Sequence, residues 1–301
     1  MWYACSISLN SWFDGSPISE PMELSSGVFI EPVPSWVKED DALKLLSWTD
    51  REHIRDAELT FSVEYEADAL GSPDPEWEGA SPRSIQSVID EKITLACVSL
   101  WLAKPSRLTC GPILHFGRKG DSASLRQAGS LRPVLIREDE HENVPTAQDF
   151  AQASKLLDAI LSLRRDATMW TAIRMLIPAL TESVWESRYL WQWVVLEALF
   201  GPESPNETTY RLAQRVGLFV GDEPDDRRRL FEEAKQAYSW RSKIVHGRRL
   251  SKLTPKKAAE LTTFTEHLIR VALVRILLTS EFICQFDGNG RDTFLDRLIF
   301  R

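Results

Sequence analysis

Cysteine is scarce in this chain of 301 residues: Cys5, Cys97, Cys110 and Cys284 are scattered, with no CxxC spacing. That argues against a zinc site or a disulfide scaffold and fits a reducing compartment. Long apolar runs are missing too. The most apolar late stretch, residues 267–284, carries Arg270, Arg275 and Glu281, too much charge for a membrane span. The opening MWYACSISLNSWF has no positive charge ahead of its apolar residues, so a signal peptide is not expected. The expectation is a cytoplasmic protein with no membrane partner. Histidines are few and stand alone at 53, 115, 141, 246 and 267, without a His/Asp/Glu cluster at ligand spacing. No metal or other cofactor is therefore expected. Repeats and low-complexity tracts are also lacking.

What is present is a folded composition, 43% hydrophobic and 27% charged, with the charge unevenly spread. Residues 1–150 hold 13 Lys+Arg against 25 Asp+Glu, and residues 151–301 hold 23 against 19. The balances of −12 and +4 mark two modules, of which only the second suits a polyanion.

The first module reads as mixed α/β. Leu59, Phe61, Val63 and Tyr65 alternate with mostly polar residues, a strand period, and residues 112–116 and 133–136 read as short buried strands. Ile85–Ala103 is apolar enough for a helix, with a strand pair as the alternative, and GSPDPEWEGASP (71–82) is a loop by composition. The second module is helical, with helices expected near 148–165, 167–179, 182–200, 207–220, 226–246, 256–285 and 291–300. Gly201-Pro202 stops one, Asn206 caps the next, Gly247 suits a C′ position and Pro255 a first turn. The expected architecture is an α+β domain over 1–147 followed by an all-α bundle over 148–301, joined around HENVPTAQ (141–148).

Two charged residues fall where helix periodicity wants apolar ones. Glu197 has Leu190, Trp193, Val194 and Phe200 as helical neighbours, so its carboxylate needs a partner. Arg215, flanked by Leu212, Leu218 and Phe219, is the natural candidate. Arg241 lies beside the stripe begun by Phe231, Ala234 and Tyr238, and it cannot shed its charge. It should face a buried carboxylate, a subunit interface or an anionic ligand. Ser242 and His246 are i and i+4 on a neighbouring face. Arg241 and His246 are five positions apart, about 140° around an ideal helix. A long arginine side chain, or a loosened final turn before Gly247, would bring both heads to one cleft. The R-x4-H spacing alone carries little weight, given how many arginines the chain holds.

In context, YSWRSKIVHG (238–247) resembles the signature of the HEPN superfamily, whose ribonucleases carry R-x(4–6)-H near a helix end. It is most similar to the Apea-like branch, where an aromatic, Arg-Ser, an aliphatic pair and His-Gly occur together. LEALF (196–200) resembles the upstream Leu-Glu helix, and ETTYRLAQRVGLFV (207–220) the following one, with Arg215-Val216 in the Arg-apolar position. The resemblance covers roughly 150–300. Ser242 departs from it, since many members carry Asn, Asp or His after the arginine.

The resemblance implies an all-α domain that homodimerises, with both Arg241/His246 pairs lining a shared cleft. It also implies metal-independent RNA cleavage to a 2′,3′-cyclic phosphate and a 5′-hydroxyl. Apea-like members resemble antiphage, abortive-infection or toxin-type effectors, some acting on tRNA. A trigger, phage-derived or other, would then act through residues 1–147. The alternative is a catalytically silent HEPN module that dimerises or binds a ligand or partner.

The residue chemistry suits cleavage. A histidine serves as base or acid near neutrality, and Arg241 offers a permanent forked donor to phosphate oxygens. Ser242 would orient His246 or donate to phosphate. Tyr238 would stack on a base or place the arginine, while Glu197 and Arg215 would support the site from neighbouring helices. Lys243, Arg248 and Arg249 would contact RNA phosphates.

Overall fold

The computed structural model describes residues 2–8, 18–66, 84–105, 110–119, 122–128, 145–202, 208–251, 253–288 and 290–300. The chain divides into two compact units, residues 1–158 and 159–301. The division falls inside the helix α4 (Ala147–Leu161), whereas the boundary expected from sequence lies at its start. Residues 71–82, 133–136 and Asn206, which carry three of the expectations above, lie outside the described residues.

The first unit is built on a six-stranded antiparallel sheet, ordered β2-β3-β4-β1-β5-β6. Its strands are β1 (Trp2–Ser8), β2 (Met22–Ser25), β3 (Val28–Pro32), β4 (Leu59–Tyr65), β5 (Cys110–Lys119) and β6 (Ser122–Ala128). Ser26 and Gly27, both at positive φ (51° and 75°), make the two-residue turn between β2 and β3. Two consecutive positive φ values match the right-handed twist of a tight hairpin.

The β4 stripe read from sequence (Leu59, Phe61, Val63, Tyr65) is present and buried. Its other face is buried as well, at Thr60 and Ser62. Helices cover both sides of the sheet. α3 (Ile85–Ala103), capped by Ser84 Oγ accepting from Ser87 N at 3.2 Å, packs on β1, β3, β4 and β5. On the opposite face a 3₁₀ turn (Ser35–Lys38), α1 (Asp40–Leu43) and α2 (Trp48–Asp56) close a core. Tyr3, Cys5, Leu114 and Phe116 of the sheet meet Val37, Leu43 and Ile54 there. Cys5 and Cys284 are free thiols, but Cys97 is disulfide-bonded, a bridge that the reading against a disulfide scaffold did not foresee. Wide spacing in sequence excludes a local motif, not a meeting in space.

The second unit is helical. It comprises the end of α4, then α5 (Thr168–Thr181), α6 (Trp185–Phe200), α7 (Thr208–Val220), α8 (Pro224–Val245), α9 (Pro255–Leu277), α10 (Ser280–Asp287) and α11 (Arg291–Arg297). Pro255 opens α9 as expected, and Pro224 opens α8 two residues ahead of the expected start; at a first turn a missing N–H costs nothing. Thr254 Oγ1 accepts from Lys257 N at 3.1 Å.

The single helix expected over 256–285 is two helices. Thr279 leaves the helical region (φ −124°, ψ 108°), and α9 ends at Leu277. The break swings Phe282 and Phe286 of α10 against Phe219, at 5.4 Å between ring centroids in each case. Aromatic burial of that size outweighs a few tenths of helix propensity.

Candidate functional site

α6 is the central helix of its unit, packing on α5, α7, α8 and α9. One of its rows is set by i, i+4 spacing: Trp185, Tyr189, Trp193 and Glu197. Trp185 stacks on Tyr189 (5.1 Å), Tyr189 meets Trp193 edge-on (6.2 Å), and Trp193 meets Tyr238 of α8 edge-on (5.0 Å). The polar handles of the row bind across the helix interfaces. Trp185 Nε1 donates to Thr262 Oγ1 of α9 at 2.9 Å, and the Tyr189 hydroxyl donates to the carbonyl of Ala237 at 2.9 Å.

Glu197 ends this row, and α8 supplies its partners. The Tyr238 hydroxyl donates to Glu197 Oε1 at 2.9 Å. Arg241 Nη2 lies 3.0 Å from Oε1 and 3.1 Å from Oε2. The expectation that Arg215 neutralises Glu197 is therefore corrected. Arg215, 2% exposed, points instead to the end of α6 and to α11. It donates to the carbonyls of Phe200 and Gly201, both at 3.2 Å, and pairs with Asp292 (3.2 Å) and Asp296 (2.8 Å). The physical reason is local. The last carbonyls of α6 lack helical donors, and two carboxylates one turn apart on α11 outbid a single distant one.

Electrostatics follow the geometry. Burial, and then the Glu197 carboxylate, push the Tyr238 phenol up to about 12. Burial alone would raise Asp296, but Arg215 and Arg211 outweigh it and hold this carboxyl below the usual range. Arg241 spends one nitrogen on Glu197. Its Nε is buried with no hydrogen-bond partner, and Nη1 has none among the described residues. The guanidinium carbon lies 5.4 Å from the Tyr238 ring centroid.

His246 occupies the C-cap of α8 and is exposed. The end is a Schellman motif: Gly247 N donates to the Ile244 carbonyl (3.0 Å) and Arg248 N to that of Lys243 (2.9 Å), with Gly247 at φ +59°. No loosened turn intervenes, because α8 stays α-helical through Val245. Arg241 and His246 therefore keep an angular separation of about 140°. Arg241 is turned to α6, and His246 stands at the solvent-facing end.

Ser242 is half-buried. Its carbonyl accepts from His246 N at 3.1 Å. The Lys243 ammonium sits 3.8 Å from the Trp240 ring centroid, and Arg248 and Arg249 are exposed. The structure thus groups Glu197, Tyr238 and Arg241. It sets Ser242, Lys243, His246, Arg248 and Arg249 along the last turn and exit of α8, and it puts Arg215 in a separate network.

Sequence reasoning missed two polar constellations. Asp292 and Asp296, with Arg211 and Arg291, complete the Arg215 network; the D-x3-D spacing on a short helix was the available signal. In the first unit His115 is wholly buried. Its Nδ1 faces the Tyr65 hydroxyl and its Nε2 faces Asp90 Oδ1, each at 2.8 Å. Nothing local marks that trio: β4 and β5 are both placed by pairing with β1, and α3 brings Asp90 by packing on the sheet. Among the described residues no group of three or more His, Cys, Asp or Glu is placed to hold a metal ion. No helix among them is long and apolar enough to cross a membrane. No family model, no curated protein and no solved structure matches this chain.

Proposed function

We propose that residues 159–301 form a HEPN-type, metal-independent endoribonuclease acting as a homodimer. In this reading Arg241 and His246 are its catalytic residues, and the acidic first unit senses a trigger in an antiphage or abortive-infection role. The observation that carries the proposal is the state of Arg241. Its guanidinium is gripped by Glu197 through Nη2 alone, which leaves Nη1 for a phosphate oxygen, and an exposed histidine stands on a fixed helix end five residues on.

In the reaction the ribose 2′-oxygen attacks phosphorus and the bond to the 5′-oxygen breaks, giving a cyclic phosphate and a 5′-hydroxyl. His246 moves a proton, from the 2′-hydroxyl or to the leaving oxygen. Arg241 offsets the charge that builds on the phosphorane oxygens. Because one helix holds the two groups about 140° apart, a second copy is what lets an arginine and a histidine converge on one phosphate. Lys243, Arg248 and Arg249 supply the counter-charge for the RNA backbone, with tRNA among the targets of this reading.

The test is cleavage of RNA by purified protein in EDTA. His246→Ala should lower the rate by ~10²–10⁴-fold, and a mutant as active as wild type would remove His246 from the site.

A second reading is favoured by the same grip: Glu197, Tyr238 and Arg241 also serve as an ordinary interhelical lock in a silent dimerisation or partner-binding module. That reading expects no cleavage by wild type under any activating condition, with His246→Ala changing only assembly.

A further inference from the structure

A pocket of about 170 Å³ in the second unit lies well apart in sequence from the α8 exit and plays no part in the reading above. Phe219 of α7, Phe282 of α10 and Phe294 of α11 form its wall, with Leu298, Arg227 of α8 and Arg275 of α9. Only Phe219 among these is buried; the other rings are half-exposed and so present aromatic surface to a visitor. The rings meet at steep angles: Phe219–Phe282 at 61°, Phe282–Phe294 at 51° and Phe219–Phe294 at 78°. Such a corner offers both faces and edges to one added ring. An apolar cavity of about 150 Å³ holds a benzene molecule, so this volume suits a single substituted ring.

The pocket is braced. α11, which carries Phe294, is tied down by Asp292 and Asp296 to the buried Arg215. Gly217 of α7 and Gly221, just past its end, let the first turn of α8 lie directly on them. A Cβ at Gly217 would come within 2.7 Å of the Arg227 carbonyl oxygen, and one at Gly221 within 2.8 Å of Arg227 N. That close approach sets Arg227 at the pocket, where its Nε donates to the Gly221 carbonyl at 3.1 Å.

The two arginines differ in what they leave free. Arg275 is spent, donating to the Phe219 carbonyl and pairing with Asp222 at 2.7 Å. Arg227 uses Nε only, and neither Nη has a protein partner among the described residues. Capping the last carbonyls of α7 explains both side chains up to that point. It does not use the free fork of Arg227 or the aromatic corner beside it. A guanidinium cannot neutralise itself, and its planar fork matches a carboxylate.

We propose that this pocket binds a small aromatic carboxylate of single-ring size, its ring against Phe219, Phe282 and Phe294 and its carboxylate on Arg227. The test is titration of the full chain with benzoate, benzamide (same ring, no charge) and acetate (same charge, no ring), followed by calorimetry or ligand-observed NMR. Benzoate should bind at least about tenfold more tightly than benzamide, the effect of one charge-assisted fork, and acetate should not bind.

Arg227→Gln should erase the preference for benzoate. Leu298→Trp, filling the pocket from its rim, should abolish binding of both rings. Equal affinity for benzoate and benzamide, benzoate binding that survives Leu298→Trp, or no saturable benzoate binding up to ~10 mM would each overturn the proposal. If Arg227→Gln fails to fold, the benzamide comparison and Leu298→Trp still decide it.

Discussion

Replacing Glu197 tests the geometry most directly, because sequence and structure assign it different partners. Glu197→Gln keeps the shape and an acceptor for the Tyr238 hydroxyl but removes the charge facing Arg241. At 3.0 Å the Coulomb energy is several kcal/mol at an effective dielectric near 20. The side chains are 24% and 27% exposed, however, so solvent screens much of it. A net coupling of about 1 kcal/mol is the reasonable expectation for a charge-assisted bond in this setting. A double-mutant cycle of Glu197→Gln with Arg241→Gln, read from urea unfolding, should therefore show that coupling. The same cycle with Arg215→Gln should be additive within about 0.5 kcal/mol. Coupling to Arg215 and none to Arg241 would refute the assignment. Run on RNA cleavage, the first cycle also asks whether the grip positions Arg241 for chemistry.

Two further outcomes follow from the same contacts. The folded-state pKa of Tyr238, about 12, lies above the ordinary tyrosine value, so its contribution is complete below about pH 10 and lost as pH rises through 12. Between those limits wild type should lose stability faster than Tyr238→Phe, and parallel curves in alkaline melts would argue against the raised phenol. Arg215→Leu should cost about 3 kcal/mol, since it removes the buried guanidinium at the centre of the network and leaves Asp292, Asp296 and the Gly201 carbonyl only Arg211 and Arg291; a urea midpoint within error of wild type would show that those two arginines and solvent already serve the groups.

The helical half was largely legible because its signals are local. Proline at first turns, threonine at an N-cap and glycine at C′ each act within four residues of where they stand. The break at Thr279 was not legible, because its cause is an aromatic contact with Phe219 some sixty residues earlier in the chain. The sheet was harder. Period-2 alternation assumes one wet face, and here Thr60 and Ser62 are buried under the α1–α2 side. Charged positions were easy to flag and hard to pair. That Glu197 and Arg241 each need a partner follows from their neighbours on their own helices. That they choose each other depends on how α6 and α8 cross, which no single helix encodes.

α6 is apolar all round: Tyr189, Trp193, Val195, Leu196, Leu199 and Phe200 are buried, and Leu190, Trp191 and Val194 on the other side are half-buried. Hydrophobic burial is non-directional, so a helix apolar all round gains nearly the same energy at several rotations about its own axis. Its few polar contacts do depend on azimuth: Trp185 to Thr262, Gln192 to Glu266 at 3.0 Å, and Glu197 to Tyr238 and Arg241. These are the pegs that select one rotamer of the whole helix, and with it the one register in which Arg241 is held while His246 stands free.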